Sequence, residues 1–141
     1  MKTVIYGQDQ RVIDWVAPRV DEEPSEFAGA KAIGIEQDGE LIGGVLYTHF
    51  TGASVSMHVA GEGKRWMTRD FLWRAFAYPF VQLRCRRVTG LVRADNIAAQ
   101  RFDEHLGFRR EGLIREATDD GCDLVVYGML KRECRYLELM R

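Results

Sequence analysis

Residues 54–83 read Ser54-Val-Ser-Met-His-Val-Ala-Gly-Glu-Gly-Lys-Arg-Trp-Met-Thr-Arg-Asp-Phe-Leu-Trp-Arg-Ala-Phe-Ala-Tyr-Pro-Phe-Val-Gln-Leu83. Residues 54–60 alternate polar and apolar side chains, which predicts a strand. From Thr68 to Leu83 apolar residues recur three and four positions apart, which predicts an amphipathic helix. The basic, glycine-containing loop between them meets a helix N-terminus, whose free N–H groups and positive dipole end favour phosphate. An ordinary strand-to-helix connection with solvated basic side chains is the alternative.

Length and composition predict a single folded domain over residues 1–141. Apolar residues make up 46% of the chain and charged residues 29%, as in globular proteins. The net charge of −1 argues against nucleic-acid binding, and no apolar run approaches the roughly 20 residues of a membrane helix. Cys85, Cys122 and Cys134 are odd in number and lack metal-ligand spacing, so we expect reduced thiols, a cytoplasmic location and no metal site.

Turn, cap and periodicity signals divide the chain into strands and helices. Asp9 is the expected cap of a first helix, Asp38-Gly39 the turn of a hairpin, and Asn96 a cap of the last helix. Pro79 is expected to kink the long helix near its end. The predicted strands are Met1–Tyr6, Lys31–Glu36, Leu41–Phe50, Ser54–Ala60, Arg87–Arg93, Phe108–Ala117 and Asp123–Leu130, followed by a charged tail, Lys131–Arg141. The strand–helix–strand unit in the middle implies one parallel pair.

One string in the second half points to a known family. It reads Asn96-Ile-Ala-Ala99-Gln-Arg-Phe-Asp-Glu-His-Leu-Gly107-Phe108-Arg-Arg-Glu111-Gly112, with Arg115 and Tyr127-Gly-Met-Leu130 further on. Together with Tyr78-Pro-Phe80 and Arg87-Val88, it resembles the GCN5-related N-acetyltransferases (GNAT family), in particular the branch that includes the ribosomal-protein acetyltransferases RimJ and RimL. The resemblance covers about residues 30–131. Similar short chains occur in phages and prophages, which leaves a phage origin open.

The resemblance implies an α/β (α+β) fold, with a mixed, mostly antiparallel sheet, a splayed parallel strand pair and flanking helices. It implies acetyl-CoA as acyl donor and, as acceptor, a primary amine: a protein N-terminus, a lysine or a small amine that enters over the acidic segment Val20–Gly29. Neither nucleic acid nor a membrane is expected as a partner, and a homodimer is left open. The cofactor-binding residues implied by the resemblance are Ser56, Met57, His58, Lys64, Arg65, Trp66, Met67, Thr68, Arg69 and Asn96.

The family's loop pattern, Gln/Arg-x-x-Gly-x-Gly/Ala, aligns with this sequence in two ways. As a string it nearly fits His58-Val-Ala-Gly-Glu-Gly63, and counted back from Tyr78-Pro-Phe80 it falls on Gly63-Lys-Arg-Trp-Met-Thr68. We prefer the second alignment because it needs no insertion in the helix. It puts Trp66 and Thr68 where the family has glycines that let phosphate approach the backbone. Thr68 is then expected to cap the helix, and Trp66 either lines the site or packs in the core.

His58 is the expected catalytic base, since an unperturbed imidazole titrates near neutrality and this one would lie beside the cofactor strand. A cofactor-lining or surface histidine is the alternative. Glu36 and His49 lie on neighbouring strands and could extend a relay through water, or be solvated or salt-bridged. Many family members carry a Tyr seven residues after the Asn to protonate the leaving thiolate. Here that residue is Asp103, which could donate a proton only with a raised pKa. A non-catalytic GNAT-fold protein, for example a phage structural or binding protein, is therefore the competing hypothesis.

Overall fold

A computed structural model describes residues 1–139, and its elements follow the predicted order. The helices are α1 (Asp9–Val16), α2 (Arg69–Ala77) and α3 (Ile97–Leu106). The strands are β1 (Lys2–Ile5), β2 (Lys31–Gln37), β3 (Glu40–Thr48), β4 (Ser54–Gly61), β5 (Arg87–Arg93), β6 (Arg109–Ile114) and β7 (Leu124–Leu130). Short 3₁₀ turns lie at Ala17–Val20, Pro24–Phe27, Lys131–Glu133 and Arg135–Glu138. Met140 and Arg141, the end of the predicted tail, lie outside the described residues.

The strands form one sheet in the order β1-β2-β3-β4-β5-β7-β6. Neighbouring strands are antiparallel except β4 and β5, which are parallel, as the crossover through α2 requires. This parallel pairing is short. It joins Ser54–Ser56 to Arg87–Thr89 and extends no further. Beyond those residues the two strands separate. The predicted mixed, mostly antiparallel sheet with a splayed parallel pair and flanking helices is therefore confirmed.

Both faces of the sheet are covered, which explains why β3 is buried continuously from Leu41 to Tyr47. One face packs against α2 and the end of α3 in a core rich in aromatic rings, including Trp66, Phe71, Phe76, Phe80, Phe108 and Tyr136. The other face packs against α1, through Val12, Ile13 and Val16. No helix among residues 1–139 is long and apolar enough to cross a bilayer.

The end of α2 is shaped by Pro79, which lacks the N–H that would donate to the carbonyl of Ala75. The chain widens there into a π-helical turn, in which the N–H of Leu83 donates to the carbonyl of Tyr78 at 2.9 Å. The buried hydroxyl of Tyr47, on β3, donates to the freed Ala75 carbonyl at 2.5 Å. The irregularity expected at Pro79 takes the form of this π-helical turn, and the sheet supplies a donor for the carbonyl that the proline leaves unpaired.

Two local predictions need correction. Gln8 occupies the N-cap position of α1, without a side-chain bond, and Asp9 is the first helical residue. The carboxylate of Asp9 accepts from the backbone N–H of Ala32 at 3.0 Å, so it attaches α1 to β2 instead of capping the helix. The strand predicted over Phe108–Ala117 ends at Ile114, because a turn begins there.

Candidate functional site

The separation of β4 and β5 creates a gap in the sheet. We call this gap, between residues 57–61 of β4 and residues 90–93 of β5, the strand cleft. Along it the two strand edges do not pair with each other, so their N–H and C=O groups can bond another extended chain. Ser56 lies half-buried where the cleft begins. Met57 has its side chain buried in the core beside α2, which leaves only its backbone for a ligand.

The loop from β4 to α2 presents a row of unpaired backbone donors. Among the described residues, no acceptor bonds the N–H groups of residues 63–66, nor those of Arg69 and Asp70 in the first turn of α2. Thr68 is the N-cap, and its Oγ1 accepts from the N–H of Phe71 at 3.1 Å. The predicted role of Thr68 as helix cap is therefore confirmed. Free amides at a helix N-terminus attract anions such as phosphate.

The basic side chains of this loop are only partly available. Arg65 pairs with Glu62 at 3.0 Å and also reaches Gln37 at 3.3 Å. Arg69 donates to the carbonyl of Leu139 at 2.8 Å. The ammonium group of Lys64 is exposed, and among residues 1–139 it has no carboxylate partner. Lys64 is therefore the loop cation that is free for an anionic ligand.

Trp66 lies under the loop, on the side that faces the core. It is 2% exposed, and its Nε1 donates to the carbonyl of Gly63 at 3.0 Å. Its indole is 5.8 Å from the ring of Phe71 and 5.7 Å from that of Phe102, measured between centroids. A Cβ at Gly61 would lie 2.0 Å from Nε1, so the indole occupies the space that a side chain there would need. Of the two alternatives for Trp66, core packing is the one seen.

The outer side of the loop is open to solvent, whereas its inner side is filled. Residues 61–65 are exposed, and the unpaired amides of residues 63–66 belong largely to this segment. The inner side is filled by Trp66, and Met67 is half-buried against the same core. The helix start at Arg69 agrees with the alignment that runs from Gly63 to Thr68, since Thr68 then stands at the cap.

Asn96 lies at the other border of the strand cleft, between β5 and α3. Its Oδ1 accepts from the N–H of Ala99 at 3.0 Å, so it is the predicted cap of α3. Gly107, with φ of 111°, ends the same helix in the left-handed conformation. The Oδ1 of Asn96 is therefore engaged, and its amide NH₂ is the group left for a ligand.

His58 points to the α1 side of the sheet, where the ring of Phe27 packs edge-on at 4.9 Å between centroids. Burial, and then the charge of His49, lower the pKa of His58 to about 4. The expectation of an imidazole that titrates near neutrality is therefore wrong, because the sequence did not reveal that the turn Pro24–Phe27 covers this residue. At neutral pH His58 is uncharged and has a lone pair that can accept a proton.

A threonine that sequence reasoning missed joins the two histidines of this region. Oγ1 of Thr48 lies 3.1 Å from Nε2 of His58 and 3.0 Å from Nδ1 of His49. The expected water relay is thus replaced by a direct hydroxyl link. Glu36 takes no part, since Arg11 donates to its carboxylate at 2.9 Å. Thr48 on β3 pairs with Ser56 on β4, and His58 follows Ser56 by two residues on the same face of the strand. The contact between Thr48 and His58 could therefore be inferred only from the strand register.

Asp103 projects from α3 over the start of the strand cleft. Its Oδ2 is 3.2 Å from the point where a Cβ on Gly90 would lie, and Gly90 is the first β5 residue beyond the parallel pairing. Burial, and then the charge of Glu104, raise the pKa of Asp103 to about 7. A carboxyl group at this position can donate a proton only if its pKa is raised, and Asp103 meets that condition.

Two of the cavities lined by described residues lie outside the strand cleft. One, of about 430 Å³, is lined by residues that include Glu26, His49, Phe50 and Tyr78. The other, of about 450 Å³, lies between α2 and the start of β2. Within the acidic segment, partial burial and the neighbouring carboxylates raise the pKa of Glu22. The first cavity therefore brings together a carboxylate and aromatic rings, which suit a cationic group, and Lys31 also borders it.

Comparison with known proteins gives matches among solved structures. No protein-family model matches the sequence, and no curated protein does. A provisionally assigned acetyltransferase from T. thermophilus is 27% identical, with 74% of this chain and 61% of that chain covered and a TM-score of 0.62. A second provisionally assigned acetyltransferase is 25% identical, with 78% of this chain and 63% of that chain covered and a TM-score of 0.65. A mutant of spermidine N-acetyltransferase SpeG from Vibrio cholerae is 20% identical, with 99% of this chain and 98% of that chain covered and a TM-score of 0.72.

These matches differ in what they establish. The chain spans about three fifths of the length of the two provisionally assigned acetyltransferases. The SpeG structure matches nearly end to end, but at 20% identity its likeness concerns the fold alone. The structural neighbours are GNAT acetyltransferases, and this chain has their fold: a mixed seven-stranded sheet that separates at one parallel pair, with helices on both faces.

Proposed function

We propose that this protein transfers an acetyl group from acetyl-CoA to a primary amine. The observation that carries the proposal is the strand cleft, which opens next to a helix N-terminus with unpaired amides. Such an arrangement offers a polar edge for an extended amide-containing arm and an anion site at its end. The acetyltransferase neighbours support the same reaction.

The loop is the proposed diphosphate site. The amides of residues 63–66 and of Arg69 would hold the phosphate oxygens, and the Lys64 ammonium would add charge. Thr68 fixes the start of the helix, while Trp66 and Met67 support the loop from the core. Arg65 and Arg69 contribute through their backbone or by exchanging their present partners.

The cleft itself is the proposed place of acyl transfer. The backbone of Ser56, Met57 and His58 would bond the pantetheine arm along β4, and the amide NH₂ of Asn96 would face it from the start of α3. Acetyl-CoA supplies the activated acyl group. His58 is the proposed base, because its neutral imidazole can take a proton from an attacking amine.

The acceptor is proposed as a cationic amine that approaches over the 20–29 segment. Asp21, Glu22, Glu23 and Glu26 give this segment negative charge, and Glu26 borders a cavity with aromatic rings. A protein N-terminus, in line with the RimJ/RimL-like string, or a polyamine would both meet this requirement. We propose a cytoplasmic enzyme.

Two observations favour a second candidate, a non-catalytic protein that shares the fold of the acetyltransferases. Trp66 fills the core side of the loop where the family carries glycine, and the low pKa of His58 makes it a weak base. If the loop cannot bind a diphosphate, this protein shares the fold of the acetyltransferases without their activity. The two candidates therefore differ in one measurable property, the affinity for CoA.

Calorimetric titration with CoA and, separately, with pantetheine tests the diphosphate site. We expect CoA to bind more tightly than pantetheine, since only CoA carries the diphosphate. Lys64→Ala should weaken CoA binding about fivefold, as expected for loss of about 1 kcal/mol from an exposed charged contact. Lys2→Ala, an exposed lysine on β1, is the matched control and should leave the affinity unchanged. Absence of CoA binding at millimolar concentration would establish the non-catalytic alternative.

Release of free thiol from acetyl-CoA in the presence of an amine panel tests the reaction. The panel should contain spermidine, a peptide with a free N-terminus and the same peptide with a blocked N-terminus and an internal lysine. We expect thiol release with at least one amine, and His58→Gln should lower kcat by about 100-fold. Tight CoA binding without any turnover would contradict the enzyme and leave a coenzyme-binding protein.

A further inference from the structure

Two histidines are joined through one hydroxyl group between the strand cleft and solvent. Nε2 of His58 and Nδ1 of His49 both lie within hydrogen-bond distance of Oγ1 of Thr48, at 3.1 Å and 3.0 Å. His58 is covered by Phe27, whereas His49 is exposed at the end of β3. The three side chains form a continuous hydrogen-bonded chain that begins beside the cleft and ends at the surface.

The three side chains can form an ordered hydrogen-bonded chain. A hydroxyl group has one proton and two lone pairs, so Thr48 can donate to one imidazole while it accepts from the other. With Nε2–H of His58 as donor to Thr48, the hydroxyl proton points to the lone pair on Nδ1 of His49. In this arrangement Nδ1 of His58 carries a lone pair, and a proton that arrives there can be matched by one that leaves through Nε2.

The free nitrogen of His58 is not sealed off. Among residues 1–139, Nδ1 of His58 has no hydrogen-bond partner, and no side-chain nitrogen or oxygen is both fully buried and unpaired. Nδ1 therefore keeps contact with solvent, which is the access that a substrate amine would need. The opposite end of the chain, His49, borders the cavity that also contains Phe50 and Tyr78.

The surroundings disfavour a lasting charge on His58. Burial lowers the pKa of this residue, and His49 adds to the effect whenever its own imidazole carries a proton. From the turns packed on this side, Phe27 contributes an apolar ring, Glu26 is exposed beside it, and Arg19 is occupied by Glu62. A proton taken up by His58 is therefore driven outward, toward the exposed imidazole.

We propose that His58, Thr48 and His49 conduct the proton of the attacking amine from the strand cleft to solvent. The purpose of this relay rests on the proposed function, but its existence does not. A proton from the amine moves to Nδ1 of His58, the Nε2 proton moves to Oγ1 of Thr48, and the Thr48 hydroxyl proton moves to Nδ1 of His49. His49 then releases its Nε2 proton to water. One proton enters and one leaves. When a proton from water then passes inward along the same chain, Nδ1 of His58 gives its proton to the leaving thiolate, and the first arrangement is restored.

Nitrogen-15 NMR of the histidines in the full chain without any coenzyme tests the relay directly. We expect His58 in the Nε2–H form, and we expect Thr48→Val to slow exchange of its Nε2 proton with water by about tenfold. Thr48→Ser keeps the hydroxyl and should exchange like the wild type. Thr3→Val, on β1, is the matched control for threonine replacement. Exchange that is equally fast in the Thr48→Val protein would overturn the relay.

Kinetics of acetyl transfer then test its purpose. Thr48→Val should lower kcat by about tenfold with an unchanged KM and a larger solvent isotope effect, and Thr48→Ser should restore both. Slowed exchange together with an unchanged kcat and isotope effect would refute the role in catalysis. If the wild type acetylates no amine, the proposed function fails, and the NMR result still decides whether the relay exists.

Discussion

A single methyl group at Gly61 should displace Trp66 from its place under the loop. The added Cβ would lie 2.0 Å from Nε1, 2.2 Å from Cε2 and 2.3 Å from Cδ1 of the indole. Ordinary carbon contacts need about 3.5–4 Å, so the ring must move by roughly 1.5 Å. Such overpacking costs about 1–3 kcal/mol, and loss of the bond from Nε1 to the Gly63 carbonyl adds about 1 kcal/mol. We expect Gly61→Ala to lower the free energy of unfolding by about 2–4 kcal/mol.

The double variant makes this reasoning specific to Trp66. Trp66→Ala alone should cost about 3–5 kcal/mol through lost burial. In its absence the new methyl group at Gly61 has room, so the double variant should be about as stable as Trp66→Ala. The coupling energy is then about 2–4 kcal/mol in favour of the double variant, measured by urea denaturation of all four proteins. Trp66→Leu replaces Trp66→Ala in the cycle if the alanine protein does not fold.

The matched control is Gly112→Ala, since Gly112 also lies in a strand and a Cβ there meets no atom within 4 Å. It should be neutral or slightly stabilising, by about 0.5 kcal/mol. Equal effects of the two alanine substitutions, or a cycle that is additive within about 0.5 kcal/mol, would refute the placement of the indole.

Three further predictions concern stability. Tyr47→Phe leaves the buried carbonyl of Ala75 without a donor, so urea denaturation should show a loss of about 1–3 kcal/mol, and an unchanged midpoint would contradict this role. His58→Gln and Asp103→Asn should tilt the curve of stability against pH in opposite directions. The pKa of His58 is lowered from 6.5 to about 4, so the wild type loses stability through it as the pH falls across that window, and His58→Gln removes the loss. The pKa of Asp103 is raised from 3.8 to about 7, so the wild type loses stability through this residue as the pH rises from about 4 to 7. Asp103→Asn removes that loss. Curves of stability against pH that run parallel to the wild-type curve for both variants would contradict the two pKa assignments. Asn96→Ala should cost about 1 kcal/mol through loss of the α3 cap, whereas Asn96→Ser should cost little, and equal melting of the two would contradict the capping role.

The features that could be predicted from sequence are those that depend on neighbours along the chain. Thr68 and Asn96 cap their helices because the bonded N–H groups lie three residues away in each case. The Asp38-Gly39 turn has positive φ at both positions, as a tight hairpin requires. Gly107 ends α3 for the same local reason. These signals, taken in order, were enough to give the order of the elements and the parallel crossover.

The features that could not be predicted depend on residues distant in sequence. Trp66 packs in the core because Gly43, on β3, and Gly61, at the end of β4, leave room for its ring. The pKa of His58 depends on burial by Phe27, which belongs to the acidic segment of residues 20–29. Thr48 reaches both histidines only because of the register between β3 and β4. Strand register and the fold of a loop are tertiary properties, so no local pattern reveals them.

The brevity of the parallel pairing also has a mechanical consequence. Three residue pairs hold β4 to β5, against seven between β5 and β7, so the sheet is most compliant along this one seam. We expect its two halves to move relative to each other about this seam while each antiparallel ladder stays intact, so the amides bordering the seam should exchange with heavy water sooner than those at the centre of either half. Widening or narrowing the gap between the halves thus requires neither unfolding nor the rupture of a helix.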